Sequence, residues 1–316
     1  MALTREERPL RAASHRYLPG RLFAAACMLF TAAPAIADAA APPPLERAGF
    51  VYEGRRLAYF CLGQGTPTLI LEAPSGVSSE AAFARVLPAL GSRARVCAYE
   101  RAFYGESEPL APGEVQAVQD YAAELAAFLA LDSIEAPFVL VGFSYGGFVA
   151  RHFTGHHPRD VVGMVLIDSP HVDWLRTMQA EMTAEDWQKV EEIMDWFLEN
   201  RGHDVWQSQF QVEAAPPLPA QLPVAVITRG QDHERMRLSG ISEAGFRIYN
   251  DVHFRLAPAL LELTERTVAF VAAESDHMIP DAEPAVVLAA VDEILSMVGA
   301  GLRDGASDPR EGAATE

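Results

Sequence analysis

Seven short apolar runs, separated by stretches of helical periodicity, constrain the fold of this chain more than any other feature. Ala58–Leu62, Thr68–Leu71, Ala94–Tyr99, Phe138–Val141, Gly163–Ile167, Val224–Thr228 and Thr267–Ala272 are rich in β-branched or aromatic residues and bounded by Gly, Pro, Asp or Ser. Their side chains are continuously apolar rather than alternating, so each strand is expected to be buried on both faces. Helices are predicted between them, over Glu80–Leu90, Val115–Ala130, Tyr145–His157 (stopped by Pro158) and Ala285–Val298. This order specifies an α/β fold with a mostly parallel sheet covered by helices on both sides. A chain of 316 residues, half of them apolar and 22% charged, can bury such a core as one large domain, expected over residues 45–300.

The ends have a different texture. Arg5, Arg8, Arg11, Arg16 and Arg21 precede an apolar stretch, Leu22–Ala37, that closes on Ala35, Ile36 and Ala37. A basic start, a short apolar run and a small-residue triplet read as a secretory signal peptide over residues 1–37. The stretch is broken by Pro34 and is shorter than the roughly 20 residues of a spanning helix, so no stable membrane span is expected after processing. Residues 38–44, rich in Ala and Pro, read as a flexible leader, and residues 301–316 as a disordered tail. The expected location is exported, either periplasmic or secreted. Cys61 and Cys97 would survive processing, and an even count leaves open one disulfide or two buried thiols.

One segment interrupts the strand and helix alternation. From His171 to Gln221 run helical patterns carrying Trp174, Met178, Met182, Trp187, Val190, Met194 and Phe197, with Thr183 and Asp186 spaced as a capping box. The segment reads as a lid over residues 171–221, its Met and Trp stripe serving as internal packing, as pocket wall, or as both.

Chemistry concentrates at Gly142, Phe143, Ser144, Tyr145 and Gly146. This G-x-S-x-G follows an apolar strand and opens a helix, so a sharp turn lifts Ser144 to the strand's C-terminal end while the glycines keep Cβ atoms clear. Ser144 is the candidate nucleophile, and it requires a base. His277 follows the last strand candidate, in a loop that opens on the same sheet edge, and is the candidate base. The other histidines downstream of the leader sit on helices, in the insertion or in loops with no such relation.

These residues carry a resemblance. Cys61–Pro67, Tyr99–Gly105, Gly142–Gly147 and Val165–Asp168 resemble the characteristic stretches of exported members of the α/β-hydrolase family. Glu100, Phe103 and Phe143 depart from the family's usual Asp, Gly and His. The resemblance implies an α/β-hydrolase fold: an eight-stranded, mostly parallel sheet flanked by helices, with a helical lid inserted after the sixth strand. It makes the strands holding Cys61 and Cys97 neighbours, which permits the disulfide without deciding it. For the triad acid it offers two positions, Asp168 at the end of the sixth strand and Asp232 after the seventh; Asp168 is favoured and Asp232 stays open. It also places the oxyanion donors at the backbone N–H of Tyr145 and in the loop Ala73–Gly76, where Pro74 has no N–H and Ser75 is assigned.

The implied function is a serine hydrolase that cleaves a carboxylic ester or related acyl compound through a Ser-His-Asp triad and an acyl-enzyme. Its expected partner is a small acyl substrate with an apolar portion. The alternative is a non-catalytic ligand-binding protein on the same fold. No cofactor and no metal are expected, since the sequence has no H-E-x-x-H, no dinucleotide fingerprint and no phosphate-loop lysine. Ser144 argues against the dehalogenases and epoxide hydrolases of this fold, which place Asp at the same turn. A net charge of −18 disfavours binding to nucleic acid.

Overall fold

A computed structural model describes residues 44–306, with side chains to residue 300. The expected signal peptide, residues 38–43 of the leader and the tail beyond residue 306 lie outside the described residues. One sheet organises the rest. Its strands are β1 (Glu46–Tyr52), β2 (Arg55–Leu62), β3 (Thr68–Glu72), β4 (Val96–Tyr99), β5 (Phe138–Phe143), β6 (Val161–Ile167), β7 (Val224–Arg229) and β8 (Thr267–Ala272). Their spatial order is β1-β2-β4-β3-β5-β6-β7-β8. The β1–β2 and β2–β4 pairs are antiparallel and every later pair is parallel. Every residue of β3 and β5 is buried, which explains why these strands read as unbroken apolar runs.

The helices are α1 (Ser79–Phe83), α2 (Leu87–Gly91), α3 (Val118–Leu129), α4 (Tyr145–His156), α5 (Trp174–Glu181), α6 (Ala184–Arg201), α7 (Val205–Ala214), α8 (Glu243–Leu256), α9 (Ile279–Ala282) and α10 (Pro284–Ala306). Leu125 and Phe128 of α3 and Phe148 and Phe153 of α4 join Leu140 and Leu166 in a core on one sheet face. Phe83, Leu90, Val287, Val291 and Ile294 join Val139, Val141 and Val165 on the other. Among the described residues no helix is long and apolar enough to cross a membrane.

Three elements differ from expectation. The single helix predicted over Glu80–Leu90 is divided into α1 and α2, because Pro88 lacks the N–H needed to continue the helical ladder and instead occupies the first turn of α2. The last helix runs to Ala306, six residues past the expected end of the domain. The capping box at α6 is half formed. Thr183 Oγ1 accepts from Asp186 N–H at 3.1 Å, but the Asp186 carboxylate, instead of capping the Thr183 N–H, accepts from Thr183 Oγ1 at 3.1 Å and from Ser242 N–H at 2.6 Å and Oγ at 2.8 Å. Asp186 thereby ties the start of α6 to the start of α8.

The insertion between β6 and β7 comprises α5, α6 and α7. Leu175, Met178, Met182, Trp187, Val190 and Val205 form its own small core, closed by Val252 of α8. Cys61 and Cys97 face each other across β2 and β4 and are joined in a disulfide, with Cα atoms 4.2 Å apart.

Candidate active site

The G-x-S-x-G turn closes β5 and opens α4 as expected. Ser144 has φ 52° and ψ −118°, a conformation that costs a non-glycine residue on the order of 1–3 kcal/mol. Two backbone bonds hold it there: Ser144 N–H donates to Ile167 O at 2.8 Å, and Gly147 N–H to Ser144 O at 2.9 Å. The flanking glycines answer to close approach. A Cβ on Gly146 would lie 2.0 Å from the Glu72 carbonyl oxygen of β3, and one on Gly142 would lie 2.6 Å from Gly146 O. Ser144 thus stands where β5 meets the N-terminus of a twelve-residue helix, a position that favours negative charge.

Asp168 ends the neighbouring strand β6, is 3% exposed, and has φ 43°. His277 comes from the loop between β8 and α9, and its Nδ1–H donates to Asp168 Oδ2 at 2.6 Å. An ionised carboxylate only accepts hydrogen bonds, so this contact fixes the Nδ1–H tautomer and leaves Nε2 free. The imidazole packs on the Phe143 ring, centroids 5.1 Å apart. Ser144, Asp168 and His277 line one cavity of about 250 Å³. Among the described residues no hydrogen bond joins Ser144 Oγ to His277; such contacts are often open before substrate arrives.

Asp168 has partners besides His277. Arg229 at the end of β7 donates from Nη1 to Oδ2 at 2.9 Å and from its backbone N–H to Oδ1 at 3.2 Å. His253 of α8 brings Nε2 within 2.9 Å of Oδ1, out of line for a good hydrogen bond. Arg229 Nη2 donates in turn to Asn250 Oδ1 at 2.9 Å. Burial pushes the Asp168 carboxyl upward, but His253, His277 and Arg229 outweigh it and hold the group well below the usual carboxylate range.

Asp232 lies elsewhere. It is exposed and borders a separate surface depression with Arg247 and Asp251, away from His277. The reason is local. His233 N–H is tied to Asn250 Oδ1 at 2.8 Å, which brings His233 to the cavity wall while Asp232, one residue earlier, faces solvent. Of the two acids weighed from the sequence, Asp168 alone is brought to His277.

The proposed oxyanion residues also meet here. Tyr145 opens α4 and Ser75 lines the cavity beside it. Ser75 Oγ lies 3.0 Å from Nε2 of His203, a buried residue between α6 and α7 whose Nδ1 lies 2.8 Å from Tyr121 Oη. The Tyr145 ring stacks edge-on against His203 at 4.2 Å, and its Oη bonds Ser208 Oγ at 2.8 Å. Burial first, then the charge of Arg101, pushes His203 down to about 3, so it is neutral. Arg101 is itself buried, with Nη2 donating to Glu72 Oε2 at 2.7 Å. Across from these groups the wall is apolar: Trp174, Val190, Ile193, Met194 and Phe197 of the insertion. The Met and Trp stripe therefore serves twice, as internal packing and as cavity wall.

Arg229, Asn250, His253, His233 and His203 were not singled out by sequence. Arg229 left a signal: a charged residue closing a buried strand at the edge that carries Ser144. The histidines left none, because their partners come from elements remote in sequence. Among the described residues no group of three or more His, Cys, Asp or Glu side chains is arranged to hold a metal ion.

A family model described as alpha/beta hydrolase fold matches residues 69–288. Among solved structures, the chain is similar to alpha/beta hydrolase domain-containing protein 10 from mouse, at 16% identity and a TM-score of 0.56, covering 79% of this chain and 98% of that one. It is also similar to a putative lipase from Acinetobacter baumannii AYE (16% identity, TM-score 0.56, covering 81% and 93%). A thermophilic esterase from Thermogutta terrifontis gives 20% identity and a TM-score of 0.53, covering 80% and 99%. A comparison with curated proteins finds no match.

Proposed function

The chain belongs to the alpha/beta hydrolase family, and on that premise we propose that it is a serine hydrolase of carboxylic esters or related acyl compounds, working through an acyl-enzyme. Ser144 Oγ attacks the carbonyl carbon while His277 Nε2 takes its proton. Asp168 holds the imidazole in the required tautomer and stabilises the imidazolium that forms. The tetrahedral oxyanion is received by the backbone N–H groups of Tyr145 and Ser75. His277 then gives its proton to the leaving oxygen, and the C–O bond breaks to leave acyl-Ser144. Water, deprotonated by the same Nε2, attacks the acyl carbon and releases the acid and free Ser144.

The observation that carries this reading is the 2.6 Å bond from His277 to buried Asp168 at the cavity that Ser144 enters on a strained turn. The apolar wall of α5 and α6 suits an apolar portion of the substrate, and we read the insertion as a lid over the cavity. Export through the leader belongs to the same reading. A disulfide such as Cys61–Cys97 persists outside a reducing cytosol, which supports it.

The test is labelling by a fluorophosphonate probe together with hydrolysis of a chain-length series of p-nitrophenyl esters. Labelling and turnover, both abolished in Ser144→Ala, are expected. A folded protein that neither labels nor turns over any ester would be a ligand-binding member of the family instead.

A further inference from the structure

Within a chain of net charge −18, the cavity is lined by a single carboxylate, that of Asp168, and this one is already matched by Arg229 and His277. The remaining ionisable side chains around it are basic or aromatic. Arg235 stands at the exposed rim and makes no ion pair among the described residues. Its neighbours behave differently. Glu234 pairs with Arg237 at 2.8 Å and Arg237 also pairs with Glu243, while Asp232 borders a different depression, so none of these carboxylates pairs with Arg235. Beside Arg235, His233 lines the same wall with its ring 4.8 Å from that of His277, and its buried Nδ1 has no hydrogen-bond partner. Burial first, then His277 and Arg229, pushes His233 down to about 3, so the ring is neutral and carries one N–H to direct. An unpaired guanidinium and an unpartnered imidazole Nδ1 that can carry the ring's N–H, on the wall of a cavity that also has an apolar side, are complementary to a negative charge.

Building on the hydrolase reading, we infer that the substrate is an acyl compound carrying an anionic group on its acyl part, a carboxylate in the simplest case, held by Arg235 with His233. Neither residue touches the reacting atoms; both determine specificity.

The matched probes are the p-nitrophenyl monoester of glutaric acid and p-nitrophenyl valerate, of equal chain length, the first ending in a carboxylate and the second in a methyl. The wild-type protein is expected to prefer the charged ester in kcat/KM by about fivefold or more, the scale of a well-made ion pair. Arg235→Gln removes that ratio, Arg235→Glu inverts it, and added salt lowers it. Arg235 is exposed, so these changes spare the core. Equal kcat/KM values in wild type, or a preference that survives Arg235→Gln, overturn the inference; turnover of the valerate ester keeps the hydrolase reading standing in that case. If neither ester turns over while Ser144 still labels, the two are compared as protectants against labelling, with the same order expected and equal protection overturning the inference. No turnover and no labelling overturn both readings.

Discussion

His277 Nδ1 and Arg229 Nη1 donate to the same oxygen of Asp168, at 2.6 Å and 2.9 Å. The carboxylate is shared between orienting the imidazole and neutralising a buried guanidinium. Asp168→Asn disturbs both. An amide NH₂ facing His277 favours the wrong tautomer, and loss of a triad acid in this way lowers kcat by about 10⁴-fold. Arg229 loses a charge partner while nearly buried, and breaking such a pair costs about 3–5 kcal/mol. The expected outcome is therefore a collapse of ester hydrolysis together with a lower urea midpoint. Asp232→Asn, at an exposed position, should leave both within a small factor of wild type; a large loss there would return Asp232 to the site.

His203 couples the insertion to the loop Ala73–Gly76, the proposed source of an oxyanion donor, since Ser75 Oγ and Tyr121 Oη hold its two nitrogens. His203→Ala releases Ser75 without removing its N–H. The loss in kcat should stay below the roughly 10²–10³-fold of a deleted oxyanion donor, at about tenfold, with little change in KM. Ser75→Ala breaks the same contact from the other side. If the coupling is as described, the double variant loses no more than the worse single variant; additive losses in this cycle would show that the two act separately.

How far the sequence revealed the fold and the site depended on whether a residue's environment was local. The elbow was legible because the strand, the turn glycines and the helix lie in one stretch, and the fold class because buried parallel strands are apolar without interruption. β1 is not legible as a run because Phe50 is its one buried residue and only half-buried Tyr52 joins it against the core, the other five being exposed at the sheet edge. α8, between β7 and β8, carries a weaker signal: its buried residues recur at helical spacing as Phe246 with Asn250 and Gly245 with Val252, but one of each pair is polar or lacks a side chain. The choice between Asp168 and Asp232 could not be made from spacing. It turns on Asn250, which draws His233 inward and leaves Asp232 outside. Phe103, in place of the family's glycine, still has φ 72°, so the loop keeps its left-handed turn against the preference of a bulky residue, with Arg201 held 5.4 Å over the ring.

Acid sensitivity should follow the buried histidines before the carboxylates. His203 has a folded value near 3 against an ordinary 6.5, so below about 6.5 the unfolded chain takes a proton that the folded one refuses. Stability is then lost as pH falls from about 6.5 toward about 3, by at most about 1.4 kcal/mol per pH unit for one such group. Asp168 acts lower. Its folded value is depressed, so its contribution is complete above the ordinary 3.8 and disappears only as pH falls below that. Urea unfolding at a series of pH values should show wild type weakening between about pH 6 and 4, and His203→Gln weakening less steeply despite a lower starting stability. Parallel pH profiles for the two proteins would refute a neutral, buried His203.

The Cys61–Cys97 bond joins β2 to β4, where the antiparallel edge of the sheet meets its parallel body. Both cysteines are buried, so the bond adds no surface function and acts on the unfolded chain, closing a loop across a sequence separation of 36. Loop-closure entropy for that separation amounts to about 4 kcal/mol. Cys61→Ala/Cys97→Ala should lower unfolding free energy by about that amount, with alanine preferred to serine because a hydroxyl would be left unpaired in the core. β3 separates β4 from β5, so ester hydrolysis well below the melting temperature should survive the change. The thiol count gives an independent check. In protein lacking residues 1–37, and hence Cys27, denaturation without reductant should expose no free thiol; two titratable thiols would mean that the bond does not form and that the two residues serve as small apolar side chains.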